Sequence, residues 1–231
     1  MKGFDVQTSN VSFSVKEGNV KRNILDDISY NFEGNKITTI GGPSGSGKTT
    51  LLYALAGILN IDKGDVRIGE KSIYGMSLKE RDDFRLHNIS FIYQNLNLFS
   101  FMNVEQNILL PFMLRKEEVN EKVREKMDYY LDLMELGNIK KKDIQSLSGG
   151  EQQRIAIIRS IIADMKLILA DEPTGNLDKQ NTIKFMKCLT KIKEDSDTTI
   201  IIVTHDENVY DFGDNKLKLD NGQIAEKNAK Q

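Results

Sequence analysis

The sequence predicts an α/β fold with a mostly parallel sheet, an N-terminal antiparallel β subdomain and an inserted helical subdomain. A β-branched strand, a glycine-rich loop and a helix follow one another over residues 36–59. Short apolar segments at 165–170 and 199–203 flank a helical segment, as strands buried on both faces do. A helical periodicity interrupts this α/β pattern. We therefore expect one domain over residues 1–231, with the helical subdomain at about 95–146.

The individual elements follow from hydrophobic spacing and turn residues. We expect strands at residues 11–15, 24–32, 36–40, 66–68, 89–93, 165–170 and 199–203, and a closing hairpin of 217–219 with 223–224. Helices are expected at 51–59 and 179–194. In the insertion, Val119, Val123, Met127, Leu131 and Met134 recur every three or four residues, which predicts an amphipathic helix that ends at a glycine, residue 137.

The glycine-rich loop carries the strongest functional pattern. It reads Gly42-Pro43-Ser44-Gly45-Ser46-Gly47-Lys48-Thr49 and satisfies the P-loop motif. Its glycines let the backbone curl and aim successive N–H groups at one point, and the following helix presents its N-terminus to phosphate. A chance glycine-rich turn would give this pattern in about 1% of chains of this length. We therefore predict a P-loop NTPase core that binds a nucleoside triphosphate.

Two carboxylates end the apolar strand at 167–170. A P-loop enzyme needs an acidic side chain at a strand end to hold Mg²⁺ opposite the P-loop threonine. Asp171 is the candidate for this role, and Glu172, next in the chain, is the candidate general base for a water molecule. Many strands end at acidic turns, so the pattern gains its weight from the P-loop.

A serine and two glycines precede a helical run at 155–158. Ser148 is a plausible N-cap, and Gly149 and Gly150 expose backbone N–H groups, which would make a second anion site at a helix N-terminus. Taken alone, these three residues are better explained as an ordinary helix cap.

Six motifs occur in one order: the P-loop, Gln94 after a strand, residues 147–151, the Asp171-Glu172 strand end, residues 176–178, and His205 after a strand. In this the chain resembles the ATP-binding subunit of an ABC transporter over about residues 4–225. Residues 170–178 are similar to the subgroup that contains the lipoprotein-releasing, macrolide-export and antimicrobial-peptide-export ATPases, and also the cell-division ATPase.

The resemblance implies a role for each matching position. The P-loop residues 42–49 and Thr50 would cradle the triphosphate of ATP, and Thr49, Gln94 and Asp171 would surround Mg²⁺. Glu172 would polarise the attacking water, and His205 would contact the γ-phosphate. Taken alone, His205 is better explained as a surface or core histidine.

The resemblance also implies a second ATPase subunit. Ser148, Gly149 and Gly150 would cap the γ-phosphate of ATP bound to that subunit. Two subunits, most simply two copies of this chain, would hold two ATP molecules head to tail. Asp178 would lie in the loop that crosses between them.

One position departs from the family pattern. The family usually has an aromatic residue in the first strand region that stacks on adenine, and here the matching residue is Val15. We expect an apolar contact from Val15 to replace the stacking. Phe13, one period earlier on the same strand face, or an aromatic residue from elsewhere is the alternative.

We infer an ATPase that powers a membrane transporter through nucleotide-driven dimer closure and exports or extracts a lipid-like, lipoprotein, peptide or drug substrate. The longest apolar runs are about five residues, and the N-terminus carries no apolar signal region, so we expect a separate transmembrane permease subunit. The protein is then peripheral, at the cytoplasmic face of the inner or plasma membrane. The alternative is a non-transport ATPase that drives a membrane signalling partner, as in the cell-division relative.

Composition excludes other classes. The net charge is −2 and the pI is about 5.8, so no overall basic field favours nucleic acid as a partner. The single cysteine, Cys188, excludes an internal disulfide.

Overall fold

The structure, a computed structural model, describes residues 3–18, 20–175 and 177–225, with Glu17 described by its backbone only. The strands are β1 Val6–Glu17, β2 Val20–Phe32, β3 Ile37–Gly41, β4 Lys63–Ile68, β5 Lys71–Ser72, β6 Ile89–Ile92, β7 Leu167–Asp171, β8 Thr199–Val203, β9 Asn215–Asp220 and β10 Gln223–Ala225. The helices are α1 Lys48–Leu55, α2 Leu78–Asn88, α3 Val104–Arg115, α4 Glu121–Leu133, α5 Gly149–Ile161, α6 Lys179–Ser196 and α7 Glu207–Asp211, with a 3-10 turn at Ile144–Ser146.

The larger sheet has the strand order β10-β9-β3-β8-β7-β6. Every neighbouring pair in it is parallel except the β9–β10 hairpin at its edge. All residues of β3, β7 and β8 are buried, because helices or the second sheet cover both faces. This burial explains the continuous apolar runs in the sequence and confirms the predicted α/β class.

The smaller sheet is antiparallel and has the order β2-β1-β4-β5. Its first two strands are longer than predicted, and three register shifts interrupt their pairing. Asn10 and Asp27 have positive φ angles at two of these shifts. Such bulges break the simple alternation that the sequence was expected to follow, so residues two apart need not share a face here.

The core divides at the larger sheet. Ile200 and Ile202 of β8 belong to a cluster that includes side chains of α3–α6, whereas Ile201 and Val203 belong to a cluster that includes α1 and the smaller sheet. Successive residues of a strand point to opposite faces, so one short strand supplies both cores. The carboxyl ends of β6, β7 and β8 lie at the same edge, because these strands are parallel.

Several predicted boundaries need correction. The helix expected at 51–59 is α1, which begins at Lys48 and ends at Leu55 because Gly57 adopts a φ of 63°. The strand expected at 165–170 begins at Leu167 and extends to Asp171. The helix expected around 119–134 is α4, whose N-cap Asn120 accepts a hydrogen bond from the Val123 amide.

The short helix α7 was not predicted. Helices α2 and α3 also lay outside the periodic segments from which we predicted helices. Both begin with a capping box, Ser77 with Glu80 and Asn103 with Gln106, which is a signal that the sequence contains. Helices α3 and α4 and the 3-10 turn lie within residues 95–146, and the boundary of a helical subdomain there stays a prediction. None of the helices in the described ranges has the length and apolar character needed to span a bilayer.

Candidate nucleotide-binding site

The P-loop connects the end of β3 to α1. Gly42, Gly45 and Gly47 have φ angles of 154°, 77° and 100°, a region that residues with a Cβ rarely adopt. A Cβ atom at Gly42 would collide with the carbonyl oxygen of Leu219, and one at Gly47 would lie 2.6 Å from the carbonyl oxygen of Ile24. Glycine is therefore required at these positions by the positive φ angles and, at Gly42 and Gly47, also by the close approach of other backbone atoms.

The loop ends at the N-terminus of α1, which no side chain caps and whose first turn has no acidic residue. Its amide groups are thus available to an anion. Lys48, the first residue of the helix, is buried and folds back over the loop. Its Nζ donates to the carbonyl oxygens of Gly42 at 2.8 Å and Pro43 at 2.9 Å. A cationic group and a set of backbone donors therefore meet at one point.

The end of β7 faces the second residue of α1. The Thr49 hydroxyl donates to Oδ1 of Asp171 at 3.0 Å, and Asp171 is 3% exposed. Burial raises the pKa of Asp171, and the neighbouring charge of Glu172 raises it further, while the Thr49 hydrogen bond and Lys48 act in the opposite direction. Hydroxyl and carboxylate oxygens are donors that Mg²⁺ prefers, so this pair fits that ion.

Glu172 and His205 form the next pair. Glu172 has a φ of 46°, which is uncommon for a residue with a side chain, and its amide donates to the Val203 carbonyl at 3.0 Å. Its Oε1 lies 2.9 Å from Nδ1 of His205, and the His205 amide donates to its Oε2 at 3.2 Å. The Glu172 side chain is 14% exposed and that of His205 is 74% exposed. The carboxylate is therefore held from two sides.

Lys48, Thr49, Glu172 and His205 line a cavity of about 580 Å³. Asp171, which contacts Thr49, and Ser46 of the P-loop are not part of its lining. The lining consists of Arg22, Ile24, Ser44, Gly45, Gly47, Lys48, Thr49, Thr50, Gln94, Glu172 and His205. The structure thus brings together the P-loop, Gln94, Glu172 and His205, as the sequence analysis expected. Gly42, Pro43 and His205 also line an adjoining cavity of about 680 Å³.

Five expected site residues lie elsewhere. Val15 is half-buried in β1 and does not line the 580 Å³ cavity, and neither do Ser148, Gly149, Gly150 or Asp178. Two residues of β2, Arg22 and Ile24, line it although the sequence analysis did not select them. Strand periodicity does not indicate them, because the bulged register places Arg22 directly opposite Val15 and leaves Ile24 without a partner in β1.

Ser148 is the N-cap of α5 in a capping box with Glu151. The Ser148 amide donates to Oε2 of Glu151 at 2.8 Å, and the Ser148 hydroxyl lowers the pKa of Glu151. A Cβ at Gly149 would meet nothing within 4 Å, so this helix end is open. Buried Gln153 donates to the carbonyl of Pro173, which attaches α5 to the loop after β7.

Asp178 has a local role in the structure. It is the N-cap of α6, where it accepts a hydrogen bond from the Asn181 amide at 2.8 Å, and this bond lowers its pKa. Asn176, part of the same sequence motif, lies outside the described residues.

A glycine loop between a parallel strand and a helix, with a threonine–aspartate pair at the end of a second strand, defines a P-loop nucleoside triphosphatase. The model of the ABC transporter family matches residues 25–175. The chain belongs to the ABC transporter family. It is an ATP-binding ATPase of that family, which confirms the resemblance and the enzymatic activity predicted from the ordered motifs.

Individual relatives agree over most of the chain. It is 36% identical over 225 residues to the lipoprotein-releasing system ATP-binding protein LolD of Buchnera aphidicola, covering 97% of this chain and 98% of the relative. It is 37% identical over 190 residues to the ABC transporter ATP-binding protein YxdL of Bacillus subtilis, covering 82% of this chain and 74% of the relative.

The fold is similar to that of a bacterial ABC transporter cassette, MJ0796, solved as a dimer. The TM-score is 0.89 at 31% identity, over 96% of this chain and 97% of the other. A second structure of that cassette, with the same similarity, is described as a dimeric post-hydrolysis state bound to ADP and Pi.

The buried carboxylate predicts a stability that depends on pH. In Asp171→Asn the amide oxygen still accepts from Thr49, but no charge is buried, so the nucleotide-free variant should unfold at a higher urea concentration than wild type at neutral pH. Folding raises the pKa of Asp171. The buried carboxylate therefore lowers the free energy of unfolding of the wild type by its full amount only at pH values above this raised pKa. The difference should shrink as the pH falls towards the ordinary aspartate pKa.

Urea titrations at several pH values measure this difference. Exposed Asp132→Asn is the control and should leave stability unchanged. A less stable Asp171→Asn at neutral pH would contradict the prediction.

Proposed function

We propose that this chain is the ATP-hydrolysing subunit of a membrane transporter and that two subunits close head to tail over two molecules of MgATP. The observation that carries the proposal is the 580 Å³ cavity, in which the P-loop, Gln94 and the Glu172–His205 pair face one another. The open end of α5 lies outside this cavity, as expected of a group that serves the other subunit.

The triphosphate lies on the P-loop in this proposal. Lys48 exchanges the carbonyls of Gly42 and Pro43 for the β- and γ-phosphate oxygens, and the amides of the loop and of α1 bind the remaining oxygens. Thr49, Gln94 and Asp171 hold Mg²⁺. When bound there, the ion would neutralise negative charge on the triphosphate. The buried charge of Asp171 thereby gains a counter-ion.

Glu172 is the general base. It accepts a proton from the water that attacks the γ-phosphate, while the His205 contacts at 2.9 and 3.2 Å keep its carboxylate oriented. The imidazole of His205 is largely exposed at the cavity and contacts the γ-phosphate once ATP is bound.

Replacing the base should separate binding from hydrolysis. Glu172→Gln keeps the shape of the side chain but cannot take up the proton, so hydrolysis should slow ~10²–10⁴-fold while MgATP still binds. Phosphate release and nucleotide titration measure the two quantities. Glu207→Gln, an exposed acid in the first turn of α7, is the matched control and should hydrolyse ATP normally. Near-normal turnover in Glu172→Gln would remove Glu172 from this role.

The second subunit completes each site. Ser148, Gly149 and Gly150 present the N-terminus of α5, where the helix dipole and free amides favour the γ-phosphate of the partner's ATP. Asp178 lies between the loop after β7 and α6, in the segment proposed to cross between subunits. The dimeric cassette at 31% identity supports this pairing.

A substitution at Gly149 tests whether the α5 site acts across the dimer. Glu172→Gln should form an MgATP-dependent particle of twice the 26.2 kDa of one chain. Glu172→Gln/Gly149→Glu should remain a monomer that still binds one MgATP, because the added carboxylate repels the partner's phosphate and the site has space for it. Light scattering with parallel nucleotide titration measures both. Loss of MgATP binding by the double variant would indicate that the α5 end acts within one chain.

A third surface suits the membrane subunit. A largely apolar groove of about 520 Å³ lies among α2, β6, α3 and the segment after Gln94, with Phe99, Pro111 and Leu114 in its lining. Arg159 of α5 donates to the carbonyl of Leu96 at 2.8 Å, which ties that segment to the helix proposed to bind the partner's ATP. Movement of Gln94 with the nucleotide would therefore reach the groove.

We assign the groove to a cytoplasmic helix of the transmembrane permease, which places the chain at the cytoplasmic face of the inner or plasma membrane. The proposed cargo is lipid-like, a lipoprotein, a peptide or a drug, and the relative from Buchnera is named for lipoprotein release.

Charge placed in the groove should break this contact. Leu114→Asp should lose the integral membrane protein that tagged wild-type chain captures from detergent-solubilised membranes, while its ATPase activity in isolation is unchanged. Leu133→Asp, a partly exposed leucine of α4 outside the groove, is the control and should capture it normally. Mass spectrometry identifies the captured protein, and equal capture by Leu114→Asp would contradict the assignment.

A further inference from the structure

The cavity has one wall that the family motifs do not explain. Arg22 and Ile24 of β2 line it together with residues of the P-loop, Gln94, Glu172 and His205. If the triphosphate occupies the P-loop as proposed above, the motif residues surround the phosphates and the metal. The β2 wall is then the part of the cavity left for the nucleoside.

A β-bulge brings this wall against the loop. Phe13 pairs with Leu25 and Ser14 pairs with Asn23, so Ile24 is the extra residue of β2. The Ile24 carbonyl approaches the backbone of Gly47 so closely that a Cβ there would lie 2.6 Å away. Arg22 lies two residues before Ile24 on the same strand, pairs with Val15 and lines the same cavity.

No phenylalanine, tyrosine or tryptophan lines the cavity within the part of the chain that the structure describes, and its one aromatic ring there, the imidazole of His205, faces Glu172. Phe13, the sequence-based alternative for stacking on the base, packs against the core cluster that includes α1. Val15 lies opposite Arg22, so the two side chains are neighbours on one face, but the valine is too short to reach the cavity. Arginine has the longest side chain at this wall.

The side chain of Arg22 is also available to bind a ligand. It is exposed, and it forms no hydrogen bond or ion pair with any residue whose side chain the structure describes. The adjacent Lys21 differs, because its Nζ lies 3.8 Å from Asp62. Of these two neighbouring cations, only Arg22 lines the cavity.

We propose that the guanidinium of Arg22 stacks on the purine base and takes the place of the aromatic residue that the family usually has, with Val15 beside it as an apolar contact. A guanidinium is planar and weakly hydrated, so it covers the face of a π-system as an ammonium cannot. Because every base has a π-face, this contact adds affinity without distinguishing adenine from guanine. The inference rests on the proposed placement of the triphosphate on the P-loop.

Competition binding with three ligands isolates the base. Arg22→Ala should weaken MgATP and MgGTP equally, by about tenfold, which corresponds to about 1.4 kcal/mol. It should change the affinity for ribose 5-triphosphate, which is ATP without its base, by less than about twofold. Arg22→Lys should behave like Arg22→Ala because it keeps the charge but not the plane. Lys21→Ala is the matched control and should bind all three ligands like wild type.

Two outcomes would overturn the proposal. Equal weakening of ribose 5-triphosphate by Arg22→Ala, or full recovery in Arg22→Lys, would mean that Arg22 acts on the phosphates as a charge. Unchanged MgATP binding in Arg22→Ala would mean that it has no contact with the nucleotide. Failure of Lys48→Ala to weaken any of the three ligands would instead contradict the P-loop placement, so the two hypotheses are tested separately.

Discussion

The close packing of three backbones around the carbonyl group of Ile24 is the constraint on which the nucleotide site depends. A Cβ at either Gly47 or Gly222 would lie 2.6 Å from this oxygen. The Gly222 amide also donates to the carbonyl of Ser46, and its own carbonyl accepts from Asp26. The P-loop, the β9–β10 turn and the bulged strand β2 are therefore held as one unit. Without a bulge in β2 and glycine at both contacts, the smaller sheet could not form a wall of the cavity.

A second constraint is electrostatic. The carboxyl end of β7 places Asp171 in a buried position, with Thr49 as its hydrogen-bond donor, and burial raises the pKa of its carboxyl group. An unpaired buried charge costs free energy that a bound cation returns. The same short segment continues into Glu172, whose positive φ turns its carboxylate towards His205. The end of β7 thus carries two carboxylates, the buried Asp171 and the more exposed Glu172. Their different environments suit their different proposed roles, metal binding for Asp171 and general base for Glu172.

In the proposed dimer, the remaining functional groups are contributed by both chains. The N-terminus of α5 is open and lies outside the cavity, and Gln153 attaches that helix to the loop after β7. Arg159, farther along α5, binds the segment that begins at Gln94 and reaches the apolar groove. Helix α5 therefore links three parts of the chain: the proposed dimer contact at its N-terminus, the segment that begins at Gln94, and the groove proposed to bind the membrane subunit. Such a connection would let closure around ATP move the groove.

The sequence by itself determined the class of the fold, the family and most of the residues at the phosphate end of the site. These depend on contiguous patterns: a P-loop whose geometry needs glycine at set positions, apolar strands that end in polar residues, and helix caps. It did not determine which residues of β1 and β2 line the cavity, because bulges shift the pairing register and strand periodicity does not reveal them. Arg22 became a candidate only when the register placed it opposite Val15. The sequence also could not show that the N-terminus of α5 lies outside the cavity of its own chain. The distance between these two regions depends on how segments far apart in sequence pack together, which only the tertiary structure decides.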